Sequence, residues 1–153
     1  MRTDFNHFAE HLVAGMSEAI IFADATGIIQ KWNRGATRIF GFSEQEAIGA
    51  SLDIITPPGL RERHWNGYRA TMQTGETRYG DGQLLSVPAI RKDGTRISVE
   101  FTIVPFKDDA GKMTGIAAVM RDATASFEAS RALRKELAEL KSRLDQGGPG
   151  STS

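Results

Sequence analysis

The spacing of apolar positions changes several times along the chain, and each change marks an element. From about Asp4 to Met16, the residues Phe5, Phe8, Leu12, Val13 and Met16 recur at helical intervals, which predicts a short amphipathic helix. Two apolar runs then follow, Ala19–Ala23 and Ile28–Trp32, separated by "DATG". Runs this short, with Asp24 and Gly27 at the bend, predict a β-hairpin.

Helical spacing returns in "NRGATRIFGFSEQEAIG". Asn33 is placed to cap a short helix burying Ala36 and Ile39. Ser43 with Glu46 three residues on forms a capping-box pattern for another, and Gly49 is placed to end it. Pro57 and Pro58 punctuate the chain before a longer helix predicted from about Gly59 to Gln73, with Gly75 as its stop. The second half is strand-like: "GQLLSVPAIR", "TRISVEFTIVPF" and "GKMTGIAAVMRDAT", divided by the turn sequences "KDG" and "KDDAG". In the middle run Ile97, Val99, Phe101 and Ile103 alternate with Ser98, Glu100 and Thr102, so one face is expected buried and the other wet. Two strands, several short helices and three strands make an α+β fold: a five-stranded antiparallel sheet with the helices gathered on one face.

After "RDAT" comes "SFEASRALRKELAELKSRLDQ", where Leu133, Leu137, Leu140 and Leu144 fall at spacings of four, three and four. That is a heptad seam. Two heptads are too short for a stable isolated coiled coil, so the helix is expected to pair in a dimer already held elsewhere. The domain boundaries read as 1–16 for an amphipathic helix, 17–124 for the globular domain, 125–145 for a coiled-coil helix and 146–153 for a flexible tail.

Composition narrows the function classes. Nineteen basic and nineteen acidic residues give zero net charge, without the basic footprint of a nucleic-acid binder or anionic-membrane binder. No apolar run approaches the roughly 18 residues of a membrane span, and a cytoplasmic location is expected. The chain has no cysteine, which removes disulfides, thiolate metal sites, cysteine nucleophiles and cysteinyl photo-adducts together; flavin bound without an adduct stays open.

The order of elements, with "WN", "FGFS-EAIG", "KDG" and "RDAT" at their spacings, resembles the PAS sensor domain family from about Ala14 to Thr124. The resemblance implies a curved sheet whose concave side, covered by helices, holds a cofactor or only side chains. It implies that Asp122 and Thr124 form an exit motif coupling the sheet to the outgoing helix. The expected role is a signal-sensing and dimerisation module, a homodimer relaying the state of its pocket to a downstream protein or domain.

Within "PPGLRERHWNGY", the residues Pro57, Leu60, Arg61, His64 and Tyr68 resemble the proximal-histidine pattern of haem-binding PAS domains of the FixL type. That resemblance makes His64 a candidate ligand for b-type haem iron, since one neutral imidazole suffices as an axial ligand. Phe101 and Ile103 match positions that supply large apolar distal residues. Three departures accompany the match. Tyr68 lies one residue further from His64, which rephases the helix and sets Trp65 to fill space. Leu85 stands where an arginine donates to bound oxygen, and Gln83 where a methionine serves as sixth ligand. The alternative is a cofactor-free interaction module with His64 on a half-exposed helix.

The remaining candidates read as structural. His7 and His11 are one turn apart, a chelating spacing, but lack a third ligand. Trp32 and Trp65 could stack on a flat cofactor, against core filling and partial burial as the default for tryptophan. Gly75, Gly80 and Gly82 do not lead a strand into a helix and make a weak nucleotide loop. The terminal helix has no histidine to accept a phosphoryl group, and no nucleophile–base pair accompanies His64, so no enzyme activity is expected.

Overall fold

The structure, a computed structural model, describes residues 3–76 and 82–147. Gly80 and most of the tail expected over 146–153 lie outside those residues. The chain divides into two units, residues 1–122 and 123–153.

In the first unit, Asp4 caps helix α1 (Phe5–Gly15) by accepting from the His7 amide. The apolar stripe read from the sequence is present but uncovered within the chain: Phe5, Phe8, Leu12 and Val13 are all exposed. Strands β1 (Ala19–Asp24) and β2 (Ile29–Trp32) form the predicted hairpin. Asp24 organises its turn. Its Oδ1 accepts from the Thr26 hydroxyl and from the amides of Thr26 and Ile28, and its Oδ2 from Gln30 Nε2. Burial opposes the charge of that carboxyl, but these donors outweigh it and hold its pKa below the usual value.

Helix α2 (Arg34–Phe40) starts at Asn33, whose side chain accepts from the Ala36 amide. Helix α3 (Glu44–Ala47) carries both halves of the predicted capping box, Ser43 and Glu46. A 3₁₀ turn over Leu52–Ile55 follows. The long helix begins two residues later than the sequence suggested. Pro58–Leu60 forms a separate 3₁₀ turn closed by Leu60 N–H to Pro57 O, and α4 runs Arg61–Thr74. The tighter i to i+3 bond leads the chain out of the proline pair before α-helical geometry sets in. Gly75 ends α4 in the left-handed conformation, with φ 71°.

Strands β3 (Leu85–Ile90), β4 (Arg96–Lys107) and β5 (Met113–Asp122) complete one antiparallel sheet in the order β2-β1-β5-β4-β3. The register aligns side chains in rows across one face. Leu85 faces Phe101, which faces Met120, which faces Ala19. The next row is Ile103, Ala118, Ile21 and Trp32. Opposed positions of antiparallel strands share a face, so α2 and α3 cover a continuous apolar surface. Trp32, Ile39, Phe40, Ile97 and Val99 form its buried centre, with Phe101 and Met120 packed against them. On the reverse face Phe22 and Phe106 meet edge-on at 5.0 Å across Gly115. A Cβ there would lie 2.3 Å from Ala23 O and 2.7 Å from the Phe22 ring. That face of β4 is less wet than the alternation suggested, since Ser98, Glu100 and Thr102 are half-buried.

The second unit is the helix α5 (Thr124–Gln146). It has no buried residue, and Leu133, Leu137, Leu140 and Leu144 are all exposed along it. Among the described residues no helix is long and apolar enough to cross a membrane.

Candidate functional site

His64, Trp65 and Tyr68 lie on α4, and hydrogen bonds from three of its residues fix the helix in place. The Tyr68 hydroxyl donates to Asp24 O at 2.6 Å and approaches Ala23 O at 3.3 Å. Trp65 Nε1–H donates to Asp53 Oδ1 at 2.7 Å. Arg61 donates to the carbonyls of Thr56 and Asp53. The far edge of the Trp65 indole lies against Gly27, where an added Cβ would be 2.1 Å from two ring atoms. Gly27 has φ 82°, so both the turn and the indole require a glycine.

These contacts leave His64 among aromatic rings. Its centroid is 4.7 Å from that of Trp65 and 5.9 Å from that of Tyr68. Its Nδ1 is buried and has no hydrogen-bond partner. Burial lowers the imidazole pKa, and the Asp53 carboxylate opposes that shift without cancelling it, so the neutral, ligand-competent form is favoured.

Burial, and after it the Asp24 carboxylate, push the Tyr68 phenol up to about 12. The folded chain therefore keeps a proton that the unfolded chain releases near 10. The stabilisation is complete below pH 10 and is lost as the pH rises from 10 to about 12. Denaturant titrations across that window should show a steeper fall for the native sequence than for Tyr68→Phe. Equal slopes would show that Tyr68 does not hold its proton.

The other expected pocket residues sit on the helix-covered sheet face. Leu85 and Phe101 are directly opposed on β3 and β4, and Ile103 occupies the next row on β4. All three are half-buried. None carries a hydrogen-bond donor on its side chain, so this wall is purely apolar. Gln83 precedes β3 and is exposed.

At the C-terminal end of β5, Asp122 accepts from Arg91 at 2.9 Å. Arg91 opens the "KDG" turn, and the next residue ties that turn to the helices. Lys92 N–H donates to Phe40 O at 2.8 Å, and Lys92 Nζ pairs with Glu46. Thr124 is the first residue of α5.

Two features escaped the sequence reading. Asp53 lies in "SLDII", which reads as a connector, and nothing local marks it as the acceptor for an indole twelve residues away. Asn33 is recognisable as a cap, but it also donates to Val13 O and Glu18 O. His7 and His11 stack at 6.4 Å on an exposed helix face, and among the described residues no group of three or more His, Cys, Asp or Glu is placed to hold a metal.

A five-stranded antiparallel sheet with short helices over one face, leading into a terminal helix, is the architecture of a sensor domain. The PAS domain family model matches residues 17–125, and the chain belongs to that family. It is 33% identical over 103 residues to the sensor protein FixL of Bradyrhizobium diazoefficiens, covering 67% of this chain and 20% of that protein. It is 31% identical over 119 residues to an uncharacterized protein of Azorhizobium caulinodans, covering 77% of this chain and 16% of that protein. The chain thus spans a fifth or less of these relatives' lengths. Among solved structures, a PAS domain from Colwellia psychrerythraea superposes with a TM-score of 0.69 at 23% identity, covering 80% of this chain and 99% of that one. The PAS domain of BvgS from Bordetella pertussis gives 0.60 at 21% identity, covering 93% of this chain and all of that one. At these identities the likeness is one of fold.

Proposed function

We propose that the chain is a signal-sensing module that holds b-type haem through His64 and relays the state of its pocket to α5. The observation that carries this reading is the buried, unpartnered Nδ1 of His64. A buried polar atom without a partner costs free energy, and a metal ion is one partner that removes the cost. The donor the group needs is present in one imidazole beside the rings of Trp65 and Tyr68, and Leu85, Phe101 and Ile103 give the sheet an apolar face. The haem iron would supply gas binding or one-electron redox chemistry. Leu85 offers no donor to a bound diatomic, so carbon monoxide, nitric oxide or a redox change suits this wall better than tightly held oxygen. The FixL relative supports the reading by kinship.

The relay is assigned to Asp122 and Thr124. The Asp122–Arg91 pair joins the end of β5 to a turn that is itself bonded to α2 and α3, so a shift in the helices reaches the strand that leads into α5. A homodimer is expected from the exposed seam Leu133, Leu137, Leu140 and Leu144, which is buried only by a second helix. The downstream partner is a protein or domain, not nucleic acid or membrane.

One observation favours a second reading, a cofactor-free interaction module. Phe101 and Met120 already pack against the buried cluster around Trp32 and Phe40, so the sheet face is filled in part by its own side chains. Protein purified from cells fed a haem precursor separates the two. The expected result is a Soret band that is lost in His64→Ala, on a species of dimer mass by light scattering. Colourless protein that takes up no added hemin would leave the second reading, and a monomer at micromolar concentration would remove the dimer.

A further inference from the structure

Adjacent residues on an α-helix point about 100° apart and do not normally face each other. His64 and Trp65 nevertheless bring their rings to 4.7 Å at an interplanar angle of 72°. Helix geometry alone does not fix the Trp65 indole against the imidazole. Here the indole is held from three sides: by Gly27, by Tyr68 at 5.5 Å edge-on, and by Asp53 through its N–H. Asp53 is itself fixed, because Ser51 Oγ accepts from its amide and Arg61 donates to its carbonyl. The Arg61 guanidinium also stands 3.9 Å from the Asp53 carboxylate.

We propose that Asp53, acting through Trp65, is the positioning residue for His64, so that the orientation of the imidazole is set from the Leu52–Ile55 turn and the Gly27 bend and not by α4 alone. For the ligand role of His64 this rests on the haem reading, but the positioning itself belongs to the ligand-free chain and is tested there. It has a functional corollary. A ligand that moves His64 must also move Trp65, and with it the β1–β2 turn, so the site is coupled to the sheet on the side away from Asp122.

The proton spectrum of the ligand-free protein provides the test. The chain has two tryptophans and three histidines, so the indole N–H and imidazole signals can be assigned by single substitutions. Asp53→Ala is expected to speed exchange of the Trp65 indole N–H by at least about tenfold, as expected when a local hydrogen bond opens. It is also expected to move the carbon-bound ring protons of His64 towards their positions in a free peptide. Asp53→Asn keeps the acceptor oxygen and should preserve both signals, a rescue that a general loss of packing would not give. Trp32 Nε1–H, bonded to Thr37 Oγ1 and Phe42 O at 3.1 and 3.2 Å, reports on the fold in every variant. Should Asp53→Ala lose that signal, Asp53→Leu, which resembles asparagine in shape and lacks the acceptor, takes its place. Release of the Trp65 N–H with His64 unmoved would overturn the proposal. Where the wild type takes up hemin, Asp53→Ala should weaken uptake by about tenfold, as loss of a ligand-orienting partner does, and Asp53→Asn should not. If the wild type takes up none, the haem reading fails, and the His64 signals alone decide the positioning.

Discussion

Asn33→Ala is expected to destabilise the residue 1–122 unit by about 3 kcal/mol, as read from the denaturation midpoint at constant slope. Asn33 is 7% exposed, the one buried polar side chain among the described residues. All of its hydrogen-bonding capacity is used by the backbone around it. Oδ1 accepts from the Ile20 and Ala36 amides at 2.8 and 3.0 Å, and Nδ2 donates to Val13 O and Glu18 O at 2.8 and 3.0 Å. Loss of a helix cap alone costs about 1 kcal/mol, and each buried group left without a partner adds about 1 kcal/mol or more. Close packing keeps water from replacing the side chain. Gly35 sits so near the 17–18 backbone that a Cβ would lie 2.0 Å from Glu18 O. Asn33→Asp separates the two halves of the role: the oxygen that caps α2 and pairs with Ile20 remains, and the donors to the end of α1 are lost. Amide exchange should then accelerate through α1 first. A loss below about 1 kcal/mol in Asn33→Ala would show that these bonds are made equally well by water.

The same residue shows where sequence reasoning succeeds and stops. Its capping role is visible because a cap acts over three residues, and so is the Ser43–Glu46 box. The hairpin, the three later strands and the αL stop at Gly75 are equally local, being written in alternation and turn chemistry. The link from Asn33 to α1 spans twenty residues, and that from Trp65 to Asp53 twelve; neither leaves a periodic trace. Phe101 and Ile103 could be assigned to one face by parity alone, but the row that sets Leu85 opposite Phe101 depends on register, which pairing fixes. The start of α4 was displaced because two prolines mark a boundary without saying whether the next turn is 3₁₀ or α. His64 could be singled out by resemblance, yet what surrounds its ring is tertiary: Trp65 is turned back on to it by a carboxylate and a glycine from other elements.

The second large effect is expected at Phe40. Its ring is fully buried, 5.8 Å from that of Trp32, and it closes the centre of the cluster formed by α2 and the sheet. Phe40→Ala removes an aromatic side chain whose neighbours are fixed by backbone pairing and cannot collapse into the space, so the upper half of the usual range applies, about 4 kcal/mol. Thermal melting should fall by roughly 15 °C for a unit of this size, whereas Phe40→Leu, which keeps most of the volume, should lose less than about 1.5 kcal/mol. The position also bears on the proposed relay. The Phe40 carbonyl accepts from the Lys92 amide, and the residue before Lys92 holds Asp122. The substitution removes packing above the Trp32 row but leaves that carbonyl in place. If the relay runs through the backbone of α2 into the Arg91–Thr95 turn, Phe40→Leu should retain the Arg91–Asp122 pair, seen as an unchanged Asp122 carboxyl signal by NMR. Phe40→Ala should loosen the pair together with the fold. A Phe40→Ala protein that melts within a few degrees of the native one would mean that the α2 face repacks freely, and a face that repacks freely could not pass a change at the pocket on to β5.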